Sequence, residues 1–400
     1  MIGRIAAVVS SLMIGAFCCS GHAVEPGIDL SRKLQQELDR AAHSAGGVSI
    51  LAGVSVPSIG LEWDGATGGT VRGKAEPRLR PNDSFRIASV TKVYVAAAVF
   101  RLIEERRVGL YDSIDRYIGP ETSKILESGG YDPRAIRVQQ LLAHTSGLYD
   151  YAMDADFAAE ISRNPAKHWT RREQIEWAVH HGKPIGPPGK QYHYSDTGYV
   201  ILGEILERVS GQAMPAYVRS ALSFETAKLG STYFESLEKT PSGLPARVHQ
   251  YWLETDITDF DPSMDLYGGG GLVSTTHELN VFMRSLLTGK LFMRPDTLAA
   301  ALTPVAVEAG MGIHPSANMI ATVPFGGRIC WGHLGYWGTV SLYCPDIDAA
   351  VSMTVNASID DRTRKPIAVQ QDLMARFSKV IEEPLRQTMQ GRPGAAPARN

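Results

Sequence analysis

One stretch constrains this chain more than any other. Ser84-Phe-Arg-Ile-Ala-Ser89-Val-Thr-Lys92 runs directly into the apolar segment 93–100. Apart from the ring hydroxyl of Tyr94, that segment is apolar on every side of a helix. A helix of this kind is stable only when protein surrounds it, so the fold must wrap it on all faces. The polar residues 101–107 turn the chain outward, and Gly109 can end the helix. Ser89 and Lys92 stand three residues apart, which puts both on one helix face about one turn apart. A hydroxyl at a helix start has free backbone N–H groups beside it. A lysine in an apolar setting must be paired, or neutral and able to take a proton. Nucleophile, proton acceptor and oxyanion donors are what acyl transfer needs. The spacing alone carries little, since Ser236-Leu-Glu-Lys239 repeats it in a polar setting. The buried helix behind Lys92 is what singles out Ser89.

A central helix needs a large core, and 400 residues supply one. That length fits two or three domains of about 150 residues, or one core carrying an inserted lobe. Residues 30–42 read as an amphipathic helix and 48–56 as a strand, with 60–63 able to pair with it. Between 111 and 267 helical patterns alternate with Pro/Gly-rich loops. Leu202, Ile205, Leu206 and Val209 follow helical spacing there, with Asp196 able to cap the start and Gly211 the end. A further helix covers 276–287. Strand patterns return after Phe325, over 339–343 and 349–355, and a last helix covers about 366–381. Strands at both ends and helices in the middle predict an α/β (α+β) fold: an antiparallel sheet flanked by helices, with an all-helical lobe inserted. The expected layout is an α/β part over about 24–110 and 268–390, a lobe over about 111–267, and a disordered Gly/Pro/Ala-rich tail over 391–400.

Residues 1–23 read differently. Arg4, an apolar run over 5–17 and the triplet Gly21-His22-Ala23 resemble a secretory signal peptide cleaved after Ala23. The run is short for a bilayer span. The expected product is periplasmic or secreted, with no stable membrane insertion after cleavage. It keeps two cysteines, Cys330 and Cys344, which an oxidising compartment favours pairing. A hairpin turning at 336–338 sets the two opposite each other. With 44% hydrophobic and 20% charged residues and a net charge of −2, the chain is an ordinary globule without the basic footprint of a nucleic-acid binder.

Other chemistries fit less well. There is no Gly-x-Ser-x-Gly elbow. His277-Glu278 has no second histidine four residues on, the glycines 268–271 lack dinucleotide-loop spacing, and the histidines at 144, 168, 180, 181 and 193 lack metal spacing. No metal or organic cofactor is implied.

Five segments in order carry a family resemblance. They are Phe85 to Lys92; Leu141-Leu-Ala-His-Thr-Ser-Gly-Leu148; Tyr192-His-Tyr194-Ser-Asp196; Gly268-Gly-Gly-Gly-Leu-Val-Ser-Thr275; and Trp331-Gly-His333-Leu-Gly335-Tyr336. Together they resemble the serine β-lactamase and penicillin-binding superfamily, in the branch of class C β-lactamases, D-alanyl-D-alanine carboxypeptidases, D-aminopeptidases and related esterases. The resemblance implies Ser89 as nucleophile, Lys92 in its proton network, and Tyr194 as general base, with a phenolate as one form. It implies an oxyanion hole from the backbone N–H groups of Ser89 and Tyr336. Asp196, His333 and Gly335 fall in the substrate-binding motifs, with His333 beside Tyr194 holding a substrate carboxylate. A phenolic base needs cations nearby; Lys92 is one and His333 is expected to be another.

Two departures qualify this. Asp196 stands where the family has Asn, and a carboxylate accepts hydrogen bonds but cannot donate. It is therefore either a partner of Lys92 or only a helix cap. His333 replaces a lysine, which favours peptidase-like and esterase-like members. The expected function is an exported serine hydrolase acting through an acyl-enzyme, first as a D,D-carboxypeptidase or D-peptidase on cell-wall-type peptides. The alternatives are an esterase, a β-lactamase, or an inactive peptide-binding relative. The expected partners are small peptide, ester or β-lactam molecules.

Overall fold

A computed structural model describes residues 26–245, 247–307 and 320–390. The expected signal peptide (1–23) and tail (391–400) lie outside these residues.

The predicted antiparallel sheet is there. Its strand order is Leu61–Thr67, Ile50–Val56, Ala349–Val355, Thr339–Cys344, Arg328–Gly335, Ala321–Phe325. The N-terminal strand thus sits between its hairpin partner and a strand from the far end of the sequence, paired Val54↔Trp63 and Val54↔Val351. The strands Ile50–Val56, Ala349–Val355 and Thr339–Cys344 are buried along their whole length, because both faces of the sheet are covered. Alternate residues feed two cores. Ile50, Ala52 and Val54 join Leu34, Leu38, Leu373 and Phe377 under the terminal helices Pro26–Ser44 and Pro366–Gln390. Leu51 and Ala350 point the other way, toward the core containing Tyr94, Val99, Leu202 and Phe282.

That second core surrounds the helix Thr91–Glu104, whose residues 91–100 are all buried. Tyr94 stacks on Phe282 with ring centroids 3.4 Å apart. The helix ends at Glu104, five residues before Gly109. Arg106 takes a left-handed conformation (φ 60°), so the stop comes from a backbone reversal at Arg106 and not from the glycine. The helix Asp196–Ser210 does end as expected, at Gly211 in the left-handed region (φ 75°).

The hairpin turns where the sequence predicts. Gly335 pairs with Thr339, leaving 336–338 as the loop. Cys330 and Cys344 then face each other with Cα atoms 4.3 Å apart and are joined by a disulfide, buried in the core under the terminal helices. The cross-link closes a loop of about 15 residues, worth on the order of 3 kcal/mol by chain entropy. A Cys330→Ala/Cys344→Ala variant is expected to lose about that much stability in urea unfolding, and oxidised peptide mapping should recover one cross-linked pair.

Candidate active site

Ser89 is placed by strain and pairing. The short strand Phe85–Arg86 pairs with Leu272–Ser274, and Ile87 N–H continues the ladder to Leu272 O at 2.9 Å. Ala88 then enters the left-handed region (φ 47°), which an alanine adopts only when its surroundings impose it. That reversal leaves Ser89 half-buried in a one-turn 3-10 helix ahead of Thr91–Glu104.

Lys92 lies one turn further in, with 0% exposure. Its Nζ donates to Ser89 Oγ at 3.0 Å, Asp196 Oδ1 at 2.5 Å and Gly269 O at 2.6 Å. Three acceptors match the three N–H groups of an ammonium. This decides between the two readings of Asp196. It is the first residue of its helix, Ser195 holds the cap position, and no side chain caps that end. Asp196 is the counter-ion of Lys92, not a cap.

Tyr194 hydrogen-bonds Ser89 from the other side. Lys92 Nζ lies 5.1 Å from its ring centroid. His144 stacks on the ring, with centroids 4.1 Å apart. Burial, then the charge of Asp196, hold the Tyr194 phenol well above its ordinary range, against the lowering effect of the Ser89 bond. These influences favour the neutral phenol over the phenolate. His333 is 6.4 Å from Tyr194, ring to ring. Its Nδ1 sits 2.7 Å from Leu334 O, so the proton belongs on Nδ1 and Nε2 is an acceptor. Burial, and then Lys92, push its pKa down to about 4. The second cation expected at this position is a neutral imidazole near pH 7. His144 is also neutral, driven down by burial and then by Lys92. Its Nδ1 accepts from Ser195 N–H at 3.2 Å, so it tethers the Tyr194 segment.

The glycines serve close approach. A Cβ on Gly335 would lie 2.3 Å from Ile87 O, so the end of the strand Arg328–Gly335 packs on the turn that carries Ser89. A Cβ on Gly269 would lie 2.4 Å from Asp196 Oδ1, and one on Gly270 would lie 2.2 Å from Asp265 Oδ1. Ser89, Tyr194, Asp196, His333 and Tyr336 all border one open cavity of about 480 Å³.

The sequence model of the Beta-lactamase family matches residues 60–373. The chain belongs to that family. It is 25% identical over 273 residues to penicillin-binding protein 4* of Bacillus subtilis (strain 168), covering 65% of this chain and 57% of that protein, less than two thirds of that relative's length. It is 25% identical over 329 residues to a Salmonella typhimurium protein assigned as a D-alanyl-D-alanine carboxypeptidase, covering 73% and 72%. A D-stereospecific amidohydrolase from a Streptomyces species superposes with a TM-score of 0.69 at 25% identity, over 84% of this chain and 97% of that one. The protein is thus a serine hydrolase of the Beta-lactamase family with the β-lactamase and transpeptidase fold.

In this family member two carboxyls near Lys92 escaped sequence reasoning. Asp150 is buried, its Oδ1 accepts from Asp196 N–H at 3.1 Å, and its Oδ2 has no partner. Burial and the neighbouring Asp196 push its pKa to about 8. Asp265, also on the cavity, is pushed to about 7 by burial and again by Asp196. Asp265 comes just before the glycine run and Asp150 just after the Leu141–Leu148 segment, and only proximity to two family motifs could have flagged them. Among the described residues no group of histidine, cysteine and acidic side chains could hold a metal ion, and no helix is long and apolar enough to cross a membrane.

Asp196 raises the proton affinity of Tyr194, so neutralising it should make the phenol a better proton donor to the leaving group. Asp196→Asn is expected to raise kcat/KM for an amide about tenfold, or about 1.4 kcal/mol in the barrier. An ester should gain less. Stability should fall by up to about 3 kcal/mol, since a buried ammonium loses its counter-ion. Rates for one amide and one ester against pH, with urea unfolding, decide it; unchanged rates would leave Asp196 a structural partner only.

Proposed function

We propose that this enzyme cleaves small D-amino-acid amides, esters or peptides through an acyl-enzyme on Ser89. The observation carrying this is the Ser89 hydroxyl, held by Lys92 at 3.0 Å and by Tyr194, at the wall of an open cavity. Ser89 Oγ attacks the substrate carbonyl. The oxyanion is taken by the backbone N–H groups of Ser89 and Tyr336. Because Tyr194 rests as a phenol, it acts as a relay: it accepts the Ser89 proton as its own proton passes to the leaving group. No free phenolate is required, and Lys92 stays an ammonium that stabilises charge near Oγ. Water then attacks the acyl-enzyme by the same relay run backwards.

The carboxypeptidase and amidohydrolase relatives support D-configured substrates. Between them, the cavity favours the second kind. A carboxypeptidase must hold a terminal carboxylate, yet no lysine or arginine lines this cavity among the described residues, and His333 is neutral. A D-peptidase or D-amidase acting beside a free amine needs no such cation. Esters and β-lactams remain chemically accessible to the same serine. An idle binding relative would have no use for the paired Ser89, Lys92 and Tyr194. We further infer that residues 1–23 are a cleaved signal peptide, that the product is exported, and that 24–390 form one catalytic unit in which the lobe 111–267 and the α/β part meet at the cleft.

Ser89→Ala should abolish both turnover and labelling by a fluorophosphonate, while Ser236→Ala should affect neither; label retained in the first variant would remove Ser89 from the chemistry. Tyr194→Phe should keep its fold and lose roughly 10²–10⁴-fold in acylation. With the phenol held neutral by burial and Asp196, kcat/KM for an ester without a titrating amine should stay flat from about pH 8 to about pH 10. A tenfold rise per pH unit there would show that a phenolate is the active form.

A further inference from the structure

We infer that the closed end of the cavity, floored by Phe157, Ile161 and Met264, seats a phenyl-sized apolar acyl group, and that Ile161 sets the size of acyl group this enzyme accepts. This rests on the acyl-enzyme reading above and deepens it by naming the acyl group.

Two segments lock together to build the floor. The helix Ala155–Arg163 turns residues 157, 158 and 161 toward the cavity on one face. Asp154 fixes the start of that helix. Its Oδ1 accepts from the N–H groups of Asp156 and Phe157 at 3.0 and 2.9 Å, and its Oδ2 accepts from the Tyr149 hydroxyl at 2.6 Å. Behind Phe157 stand Tyr151, Trp169 and Trp177, with ring centroids 4.9, 4.6 and 5.3 Å away. Met264 comes from the turn Pro262–Asp265, which is tied to the same region. Ser263 Oγ accepts from Trp169 N–H and Ser263 O accepts from Gln174 Nε2, each at 2.7 Å. A ring wedged among three others has nowhere to retreat, so the floor is rigid.

Burial separates this end from the mouth. Phe157, Ile161 and Met264 are at most 9% exposed, whereas Met153 is 69% and Leu334 38% exposed on the same cavity. A leaving group must escape to solvent, while the acyl group stays bonded to Ser89 until water arrives. The open mouth suits the first and the closed end suits the second. The lining then limits what the acyl group carries. No lysine or arginine borders the cavity among the described residues, so an acidic side chain finds no partner there. An alanine-sized group would leave the floor unfilled and forgo its contacts.

The test uses p-nitrophenyl acetate, 3-phenylpropionate and 5-phenylpentanoate, which share a leaving group and carry no titrating amine. The wild type should favour 3-phenylpropionate over acetate about 10- to 100-fold in kcat/KM, the effect of burying one such ring. It should favour 3-phenylpropionate over 5-phenylpentanoate about tenfold, because a rigid floor resists two extra methylenes. Ile161→Trp should cut the 3-phenylpropionate-to-acetate ratio at least about tenfold. Ile161→Ala should raise the 5-phenylpentanoate-to-3-phenylpropionate ratio by about as much. A loosened fold would instead slow all three esters together. Should either variant fail to fold, Ile161→Val removes one methylene and should shift the second ratio the same way by about threefold. Unchanged ratios overturn the role of Ile161. A wild-type series that is flat or peaks at acetate overturns the acyl seat, while labelled Ser89 preserves the acyl-enzyme reading. A preference for 2-phenylethyl acetate over ethyl acetate, with a flat acyl series, puts the ring on the leaving group and also overturns the seat. A wild type that hydrolyses no ester and is not labelled at Ser89 overturns both readings.

Discussion

The ammonium of Lys92 is the interaction on which the rest of this structure depends. Taking a charge fully out of water costs several kcal/mol unless partners replace the solvent. Here the partners come from parts of the chain 104 and 177 residues away, Asp196 and Gly269, together with Ser89 one turn back. The helix Asp196–Ser210 supplies the first and the glycine run before the strand Leu272–Ser274 supplies the second. The all-apolar helix forces Lys92 inward, and Lys92 then requires these segments to converge on it. The cleft exists where they meet. Folding the core and assembling the site are therefore the same event.

The carboxylate at 196 changes the electrostatics of everything nearby. A neutral amide could accept from Lys92 without repelling other acids. Asp196 instead raises the proton affinities of Tyr194, Asp150 and Asp265. Lys92 works the other way on the histidines, adding to burial to hold His144 and His333 uncharged. The cleft thus has one ion pair at its base, with groups around it that rest mostly neutral or part-charged. That balance makes a relay through neutral Tyr194 more economical than a phenolate, which would add a further negative charge beside Asp196.

How much of this was legible in the sequence depends on which forces decide each feature. Periodicity and caps are local, so the buried helix, the hairpin, the helix ending at Gly211 and the facing cysteines could all be read directly. Local signals failed where a backbone reversal intervened: the central helix stops at Arg106, which takes a left-handed conformation rarely favoured by arginine. The positions of Ser89, Lys92 and Tyr194 followed from family motifs, and the structure brings these residues together. Their protonation states did not follow, because charge depends on burial and on neighbours distant in sequence. His333 looked like a cation from residue type alone, and only its desolvation in the cleft and its nearness to the charge of Lys92 show otherwise. Asp265 was invisible for the same reason, since nothing local distinguishes it from a turn aspartate.

Register on the strand Arg328–Gly335 decides what the cleft contains. Side chains alternate across the sheet, so Trp331 packs on the core around Thr91–Glu104 and His333 borders the cavity, while Cys330 faces the terminal helices. A slip of one residue would turn His333 away from the cleft toward the terminal helices. Two features at opposite ends of the strand prevent this. The disulfide fixes Cys330 against Cys344 on the outer face. Gly335 fits against Ile87 O on the inner face, where no other residue has room. A cross-link in one core and a close approach in the other thus fix the same register. Because Gly335 rests on the turn that carries Ser89, the register also sets how near the Tyr336 backbone comes to the nucleophile.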